Sequence, residues 1–121
     1  MKTSQDPRHQ RRQHIVSLLF AQSFSDQPKD KVIEPILKNR ILIDEAIVKI
    51  APEFPIDKIN KVDLAILRLA VYEILVEKAA PKKVIIDEAI ELGKEFGGDS
   101  SPGFINGALG KLIKDLSELK T

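Results

Sequence analysis

Cysteine and tryptophan are absent from this chain, and tyrosine and methionine occur once each. The lack of cysteine removes disulfides, thiolate nucleophiles and thiolate metal sites, and it suits a reducing compartment. Histidine occurs only as His9 and His14. Five residues apart on a helix, they diverge by about 140° and cannot share a metal ion. No serine sits in a strained Gly-x-Ser-x-Gly turn, and no glycine-rich loop is built to cradle phosphate. The adjacent carboxylates Asp44–Glu45 and Asp87–Glu88 diverge by about 100° on a helix, which makes neither couple a natural acid–base dyad. No run of eighteen apolar residues is present, and the polar, basic start carries no apolar signal region. These absences point away from an enzyme, a cofactor, a metal and a membrane partner. The expectation is a cytoplasmic protein.

What is present is an ordinary globular composition, 43% hydrophobic and 31% charged over 121 residues. That length fits one domain, residues 1–121, with 1–6 as a flexible N-terminus. The net charge of +1 hides an asymmetry. Residues 1–25 carry Lys2, Arg8, Arg11 and Arg12 against Asp6 alone, whereas the remainder is slightly acidic.

The segment Leu64–Val76 has thirteen residues and two charges, Arg68 and Glu73, with no glycine or proline. Its Leu, Ala and Ile content favours a helix, and a helix apolar on nearly every side belongs at the centre of a helical domain. The charges inside it need partners. For Arg68 the expected partner is Glu88 on the following helix, with Asp87 next.

Around this centre the spacing predicts a first helix over 7–23, capped by Asp6 with Pro7 at its first position. A polar turn over 25–31 leads to a second helix over 33–51, with Ile36, Leu37, Ile43, Ile47 and Ile50 on its core side. A short turn at 56–59 precedes the central helix, 61–77. A further helix over 82–96 stops at Gly97-Gly98, and the last begins around Pro102 and ends near Leu119. No strand alternation occurs, so the fold class is all-α, five main helices and a short one. ILIDEAI at 41–47 and VIIDEAI at 84–90 are nearly identical. Two helical subdomains built alike would produce that echo, and so would two helices with similar packing needs. Gly93, Gly103, Gly107 and Gly110 each cost roughly 1 kcal/mol in a helix interior, which close helix approach would offset. Asn106 is expected to hydrogen-bond a buried loop carbonyl.

Arg8, Arg11 and Arg12 are three and four residues apart and share one face of the first two helical turns. Cations there oppose the helix dipole by about 0.3–1 kcal/mol each, an unfavourable placement that a polyanion would reverse. A solvated basic face is the equally weighted alternative. From the residues alone, Phe20 and Phe104 read as core rings, and Asp63 as a charge that complements the start of the central helix.

VDLAILRLAVYEIL at 62–75, then Pro81, VIIDEAIELGKEFG at 84–97 and PGFINGAL at 102–109 stand in the order and spacing of the NusB family. RRQHIVSLLFAQSF at 11–24 is similar to that family's first helix, and the chain is shorter than typical members between the first helix and Ile36. The resemblance implies a NusB-like helical bundle of two packed subdomains and a transcription antitermination factor. It implies binding of boxA-type RNA of ribosomal RNA operons by the arginine-rich first helix, with Lys2, Arg8, Arg11 and Arg12. It adds Ser100, at a position often acidic in relatives, and Phe104, placed to stack on a base. It assigns Phe20 and Asp63 to contacts with NusE, the small-subunit ribosomal protein, and links the pair to RNA polymerase through other Nus factors. Arg68, Glu88 and Asn106 are expected to be structural. Two alternatives accompany this reading: an RNA-binding accessory related to the NusB-like domain of ribosomal-RNA cytosine methyltransferases, and a homodimeric or larger scaffold that buries the basic helix against its own copy.

Overall fold

The computed structural model describes residues 6–25 and 30–119. Its centre is α4, Lys61–Tyr72, in which Leu64–Leu67 and Leu69–Val71 are all buried. This helix packs against each of the others: α1 (Pro7–Gln22), α2 (Glu34–Lys38), α3 (Arg40–Ile50), α5 (Lys82–Phe96) and α6 (Ser101–Leu119). A rod apolar all round must be covered on every side, and here helices alone cover it, so the fold is all-α among the described residues. One continuous hydrophobic cluster joins Ile15 and Leu19 of α1, Ile43 and Ile47 of α3, Ile85 and Leu92 of α5, and Ile105 and Leu109 of α6 to α4. Each large aliphatic chain so buried contributes about 1.5–3 kcal/mol.

Local chemistry sets the boundaries. Asp6 caps α1, its carboxylate accepting the Arg8 backbone N–H at 2.9 Å, with Pro7 at the first position. The remaining residues of the expected flexible start, and part of the polar turn after α1, lie outside the described residues. α4 continues into a π-helical turn, Glu73–Glu77, closed by a Lys78 N–H bond to the Glu73 carbonyl at 2.8 Å. Lys78 has φ 55, the left-handed conformation that ends the helix.

The single helix expected over 33–51 is two helices with a preceding 3₁₀ turn, Lys31–Ile33. The break is at Asn39. Its backbone N–H turns to Ile36 O at 3.1 Å, while its side-chain amide donates to Pro35 O at 2.7 Å, the carbonyl a continuing α-helix would have used. The Asn39 carbonyl then accepts the Ile43 N–H at 2.9 Å and starts α3 on a new axis.

The heptapeptide echo is not a structural repeat. On α3 the buried positions are Ile43 and Ile47, the third and seventh of the motif, whereas on α5 they are Ile85, Glu88 and Ala89, the second, fifth and sixth. The same letters face inward at different rotations, so similar packing needs account for them.

The glycines divide sharply. A Cβ on Gly93 would stand 2.8 Å from Ile105 Cδ1, and one on Gly97 would collide with the Ser101 side chain and the Gly93 carbonyl. These two permit the close approach of α5 and α6. Gly103, Gly107 and Gly110 have open space where a Cβ would go, so helix approach does not explain them. Asn106 is likewise exposed and makes no side-chain hydrogen bond among the described residues, so its expected loop carbonyl is not engaged. It lies on the outer side of α6, one residue past the buried Ile105, where no loop reaches it. Denaturant unfolding should therefore show Gly107→Ala more stable by about 0.5–1 kcal/mol through helix propensity. Gly97→Ala should be less stable by about 1–3 kcal/mol through overpacking.

Candidate functional site

α1 presents two chemically different faces. Ile15, Val16 and Leu19 point into the core, and the same inner side continues upstream through Arg12 and His9. His9 is 4% exposed. The Arg12 guanidinium donates from Nε and Nη2 to the two Glu73 oxygens at 2.9 and 2.7 Å, and from Nη1 to Glu88 Oε1 at 3.2 Å. His9 Nδ1 lies 3.0 Å from that same Glu88 oxygen, and Nε2 lies 2.8 Å from Glu95 Oε1. The Gln13 side-chain amide donates a further hydrogen bond to Glu95 at 3.3 Å. One residue set on α1 thus meets the π-helical turn through Glu73 and α5 through Glu88 and Glu95.

This corrects the expectation that Arg12 shares an open face with Arg8 and Arg11. Four positions separate Arg12 from Arg8, but Arg12 falls on the inner edge of the helix, where two buried carboxylates claim it. A buried carboxylate without a cation is costly, so the ion pair holds Arg12 inside. Arg8 and Arg11 remain outside. The Arg8 guanidinium leans back on Asp6 at 3.3 Å while its side chain stays largely open to water, and that contact holds the Asp6 carboxyl below its usual range. Arg11 is exposed, as is His14 one turn further on. Lys2 lies outside the described residues. The signal for the inner pair was present in the sequence, since His9, Arg12, Val16 and Leu19 continue one helical stripe.

Arg68 is held by a carboxylate, as its place in the apolar run requires, but not by Glu88 or Asp87. Its Nε and Nη2 donate to the two Asp44 oxygens at 3.0 and 2.9 Å. Asp44 reaches it from α3, the preceding helix. Glu88 is turned toward α1 and serves His9 and Arg12, and Asp87 sits beside Lys83 on the outside of α5.

The remaining expected site residues lie around the start of α4. Phe20 is 36% exposed and meets Phe24 edge-on at 5.0 Å, so it is not a core ring. Lys61 Nζ lies 5.4 Å from the Phe24 ring, an amino-aromatic contact that ties the end of α1 to the start of α4. Asp63 is 7% exposed in the first turn of α4 and lines a groove with Ser100 and Phe104. Phe104 is half-buried, its ring edge-on to Phe54 at 5.6 Å. The structure thus separates two regions: the outer cations of α1 near its first turns, and an aromatic and acidic region at the opposite end of that helix.

Both His9 ring nitrogens face carboxylates, so both must donate and the ring is an imidazolium. Burial by itself lowers the His9 pKa; the hydrogen bonds that the ring donates to Glu88 and Glu95 outweigh it and hold the pKa above its ordinary value. The stabilisation is complete below the unfolded pKa, about 6.5, and is lost as pH rises through the folded one. Unfolding free energy measured from pH 5.5 to 9 should fall with rising pH, and His9→Gln should flatten that slope while the exposed His14→Gln leaves it intact.

A second outcome follows from the two arginine clasps. Arg12→Ala, which strands Glu73 and Glu88, should cost about 3–5 kcal/mol in denaturant unfolding. Arg68→Ala should cost less, about 1.5–3 kcal/mol, because Asp44 is 24% exposed and water can replace the guanidinium. Equal losses in the two variants would contradict this assignment of burial.

Among the described residues no helix is long and apolar enough to cross a membrane, and no cluster of His, Asp and Glu has the arrangement of a metal site. The model of the NusB family matches residues 29–114. A transcription antitermination protein NusB of Campylobacter hominis is 42% identical over 127 residues, covering 88% of this chain and 96% of the relative. Its counterpart in Campylobacter lari is 39% identical over 129 residues, covering 90% and 97%. Both alignments are longer than this whole chain while using only part of it, so these relatives carry residues that it lacks. The solved structure of T. maritima NusB superposes with a TM-score of 0.78 at 33% identity, covering 94% of this chain and 93% of that one. The chain belongs to the NusB family.

Proposed function

We propose that the protein is a cytoplasmic transcription antitermination factor that holds boxA-type RNA of ribosomal RNA transcripts and pairs with NusE, which connects it to RNA polymerase through other Nus factors. Its action is scaffolding: it makes and breaks no bond. The observation that carries this reading is the division of α1 into a clamped inner face and an exposed cationic outer face. Arg12 and His9 fix the rotation of the helix, so Arg8 and Arg11 stand outward on a rigid support rather than on a mobile arm. Preorganised cations lose little entropy on meeting phosphates, and a polyanion relieves the repulsion between these arginines and the helix dipole.

The protein partner is placed at the other end of α1, where Phe20 and Phe24 expose a pair of rings beside the start of α4. Exposed aromatic anchors of this kind dominate interfaces when a partner desolvates them. Ser100 and Phe104 are further RNA contacts in this reading: Phe104, half-buried and edge-on to Phe54, stacks on a base, and the neutral Ser100 adds no charge that would repel phosphate.

Titration of fluorescent boxA RNA over a range of salt tests the arrangement. Each phosphate contact with single-stranded nucleic acid contributes roughly 0.7 to the salt slope, so Arg8→Ala with Arg11→Ala should reduce it by about one to one and a half units and weaken binding at least tenfold. The doubly substituted protein should be as stable as the parent or slightly more so. Phe20→Asp should abolish NusE binding and leave the RNA titration unchanged. An unaltered RNA affinity in the folded double variant overturns the RNA face.

A further inference from the structure

The outer face of α3 is apolar where a solvated helix face would be polar. Ile41 is 77% exposed, Val48 53% and Leu42 49%, away from the buried Ile43, Ile47 and Ile50 of the same helix. Nothing within a single chain accounts for them. Ile41 and Val48 are β-branched and form helix less readily than the Ala, Glu or Lys of an ordinary surface position. A monomer gains nothing from holding three large aliphatic side chains together in water. The charges around them are equally unused. Glu45 stands four positions before Lys49, the spacing and order of an intrahelical ion pair, yet neither makes an ion pair among the described residues, and nor do Glu34 and Lys38. On α5 and α6 such pairs do form, Lys83 with Asp87, Lys94 with Glu91 and Lys111 with Asp115.

The order of these residues has a property that a face for an unrelated protein would not need. Lys38 lies three positions before Ile41 and four before Leu42, and Glu45 lies three after Leu42 and four after Ile41. Spacings of three and four keep side chains on one stripe of a helix, and Asn39 is the single residue between α2 and α3. Turned end for end about a point between Ile41 and Leu42, the stripe matches itself with its charges reversed. Ile41 then meets Leu42 and Lys38 meets Glu45. Further out, Pro35 meets Val48 and Glu34 meets Lys49, and every one of these positions is exposed. A two-fold axis between identical chains demands this kind of match, because each contact of residue i with j is repeated as j with i.

We infer that the outer face of α2 and α3 pairs with the same face of a second copy of the chain, antiparallel, about a two-fold axis between Ile41 and Leu42. The aliphatic centre is withdrawn from water, and the charges at its rim fix orientation and register. The face is small beside a standard interface of roughly 20–30 residues a side, so the dimer forms reversibly and with rising concentration. The inference goes beyond the reading of RNA and NusE binding and does not depend on it. It also differs from a scaffold that buries the basic helix against its own copy. α1 takes no part in this pairing, so Arg8 and Arg11 of both copies stay open to water.

Sedimentation equilibrium of the full chain over a range of concentrations tests the pairing. The weight-average mass should rise with concentration from 13.5 kDa toward twice that value. Leu42→Glu should abolish the rise. Glu45→Lys and Lys38→Glu each bring like charges together across the axis, and each should weaken association about tenfold or more. All three positions are exposed, so circular dichroism should show every variant folded. Lys38→Glu and Glu45→Lys combined in one chain restore the opposite charges and should recover association. A mixture of the two single variants should pair with each other, although neither pairs with itself. A mass that stays at 13.5 kDa up to about 1 mM protein overturns the inference. So does association that is indifferent to Glu45→Lys, or a charge exchange that fails to recover it. Loss of association in Arg8→Ala with Arg11→Ala, with Leu42→Glu unaffected, moves the contact to the basic helix and overturns it as well.

Discussion

The ion network between α1 and the helices beneath it is the constraint on which the arrangement depends. Glu73 and Glu88 are almost fully withdrawn from water, and neither is sustainable as an anion without a cation. Arg12 answers both, and His9 answers Glu88 a second time and Glu95 as well. Apolar contacts from Ile15, Val16 and Leu19 would hold α1 against the core, but apolar packing is non-directional and tolerates rotation. Bidentate charge pairs do not. The network therefore sets the rotation of α1 and, with it, which arginines reach the solvent.

That fixed rotation gives the protein two separate surfaces on one helix. Arg8 and Arg11 face outward near the first turns, and the ring of Phe20 faces outward near the last. The π-helical turn after α4 takes part in the same arrangement, since it carries Glu73 to the Arg12 guanidinium before Lys78 ends the helix in a left-handed conformation. A π turn admits an extra residue per hydrogen-bonded ring, and such turns are often retained where a side chain must be aimed.

The second clasp, Arg68 with Asp44, binds α3 to α4 on the other side of the core. Together the two clasps explain how Arg68 and Glu73 persist in a thirteen-residue segment that is otherwise apolar. Each is answered by a helix on its own side of α4: Arg68 by α3, Glu73 by α1. The near-identical heptapeptides of α3 and α5 supply different acids to these clasps, Asp44 in one and Glu88 in the other, because the two helices turn different edges inward.

Much of the fold was legible from local chemistry. The Asp6–Pro7 start of α1, the buried run of α4, the stop at Gly97 and the absence of strand patterning are all set by residues within a few positions of one another, and local sterics and hydrogen bonding decide them. The family was legible for a related reason: a central helix buried on all sides restricts its sequence more than any surface does. The break at Asn39 escaped because one side-chain amide competes with one backbone N–H for the Pro35 carbonyl, a contest that periodicity does not weigh. What only the tertiary structure decided is which charges face inward and whom they meet. Arg12 finds Glu73 across 61 residues, and Arg68 finds Asp44 across 24 rather than Glu88 across a shorter gap. Those choices depend on the relative rotation and separation of helices distant in the chain. A helix repeats its own face every 3.6 residues, but that repeat carries no information about which face its neighbour turns toward it.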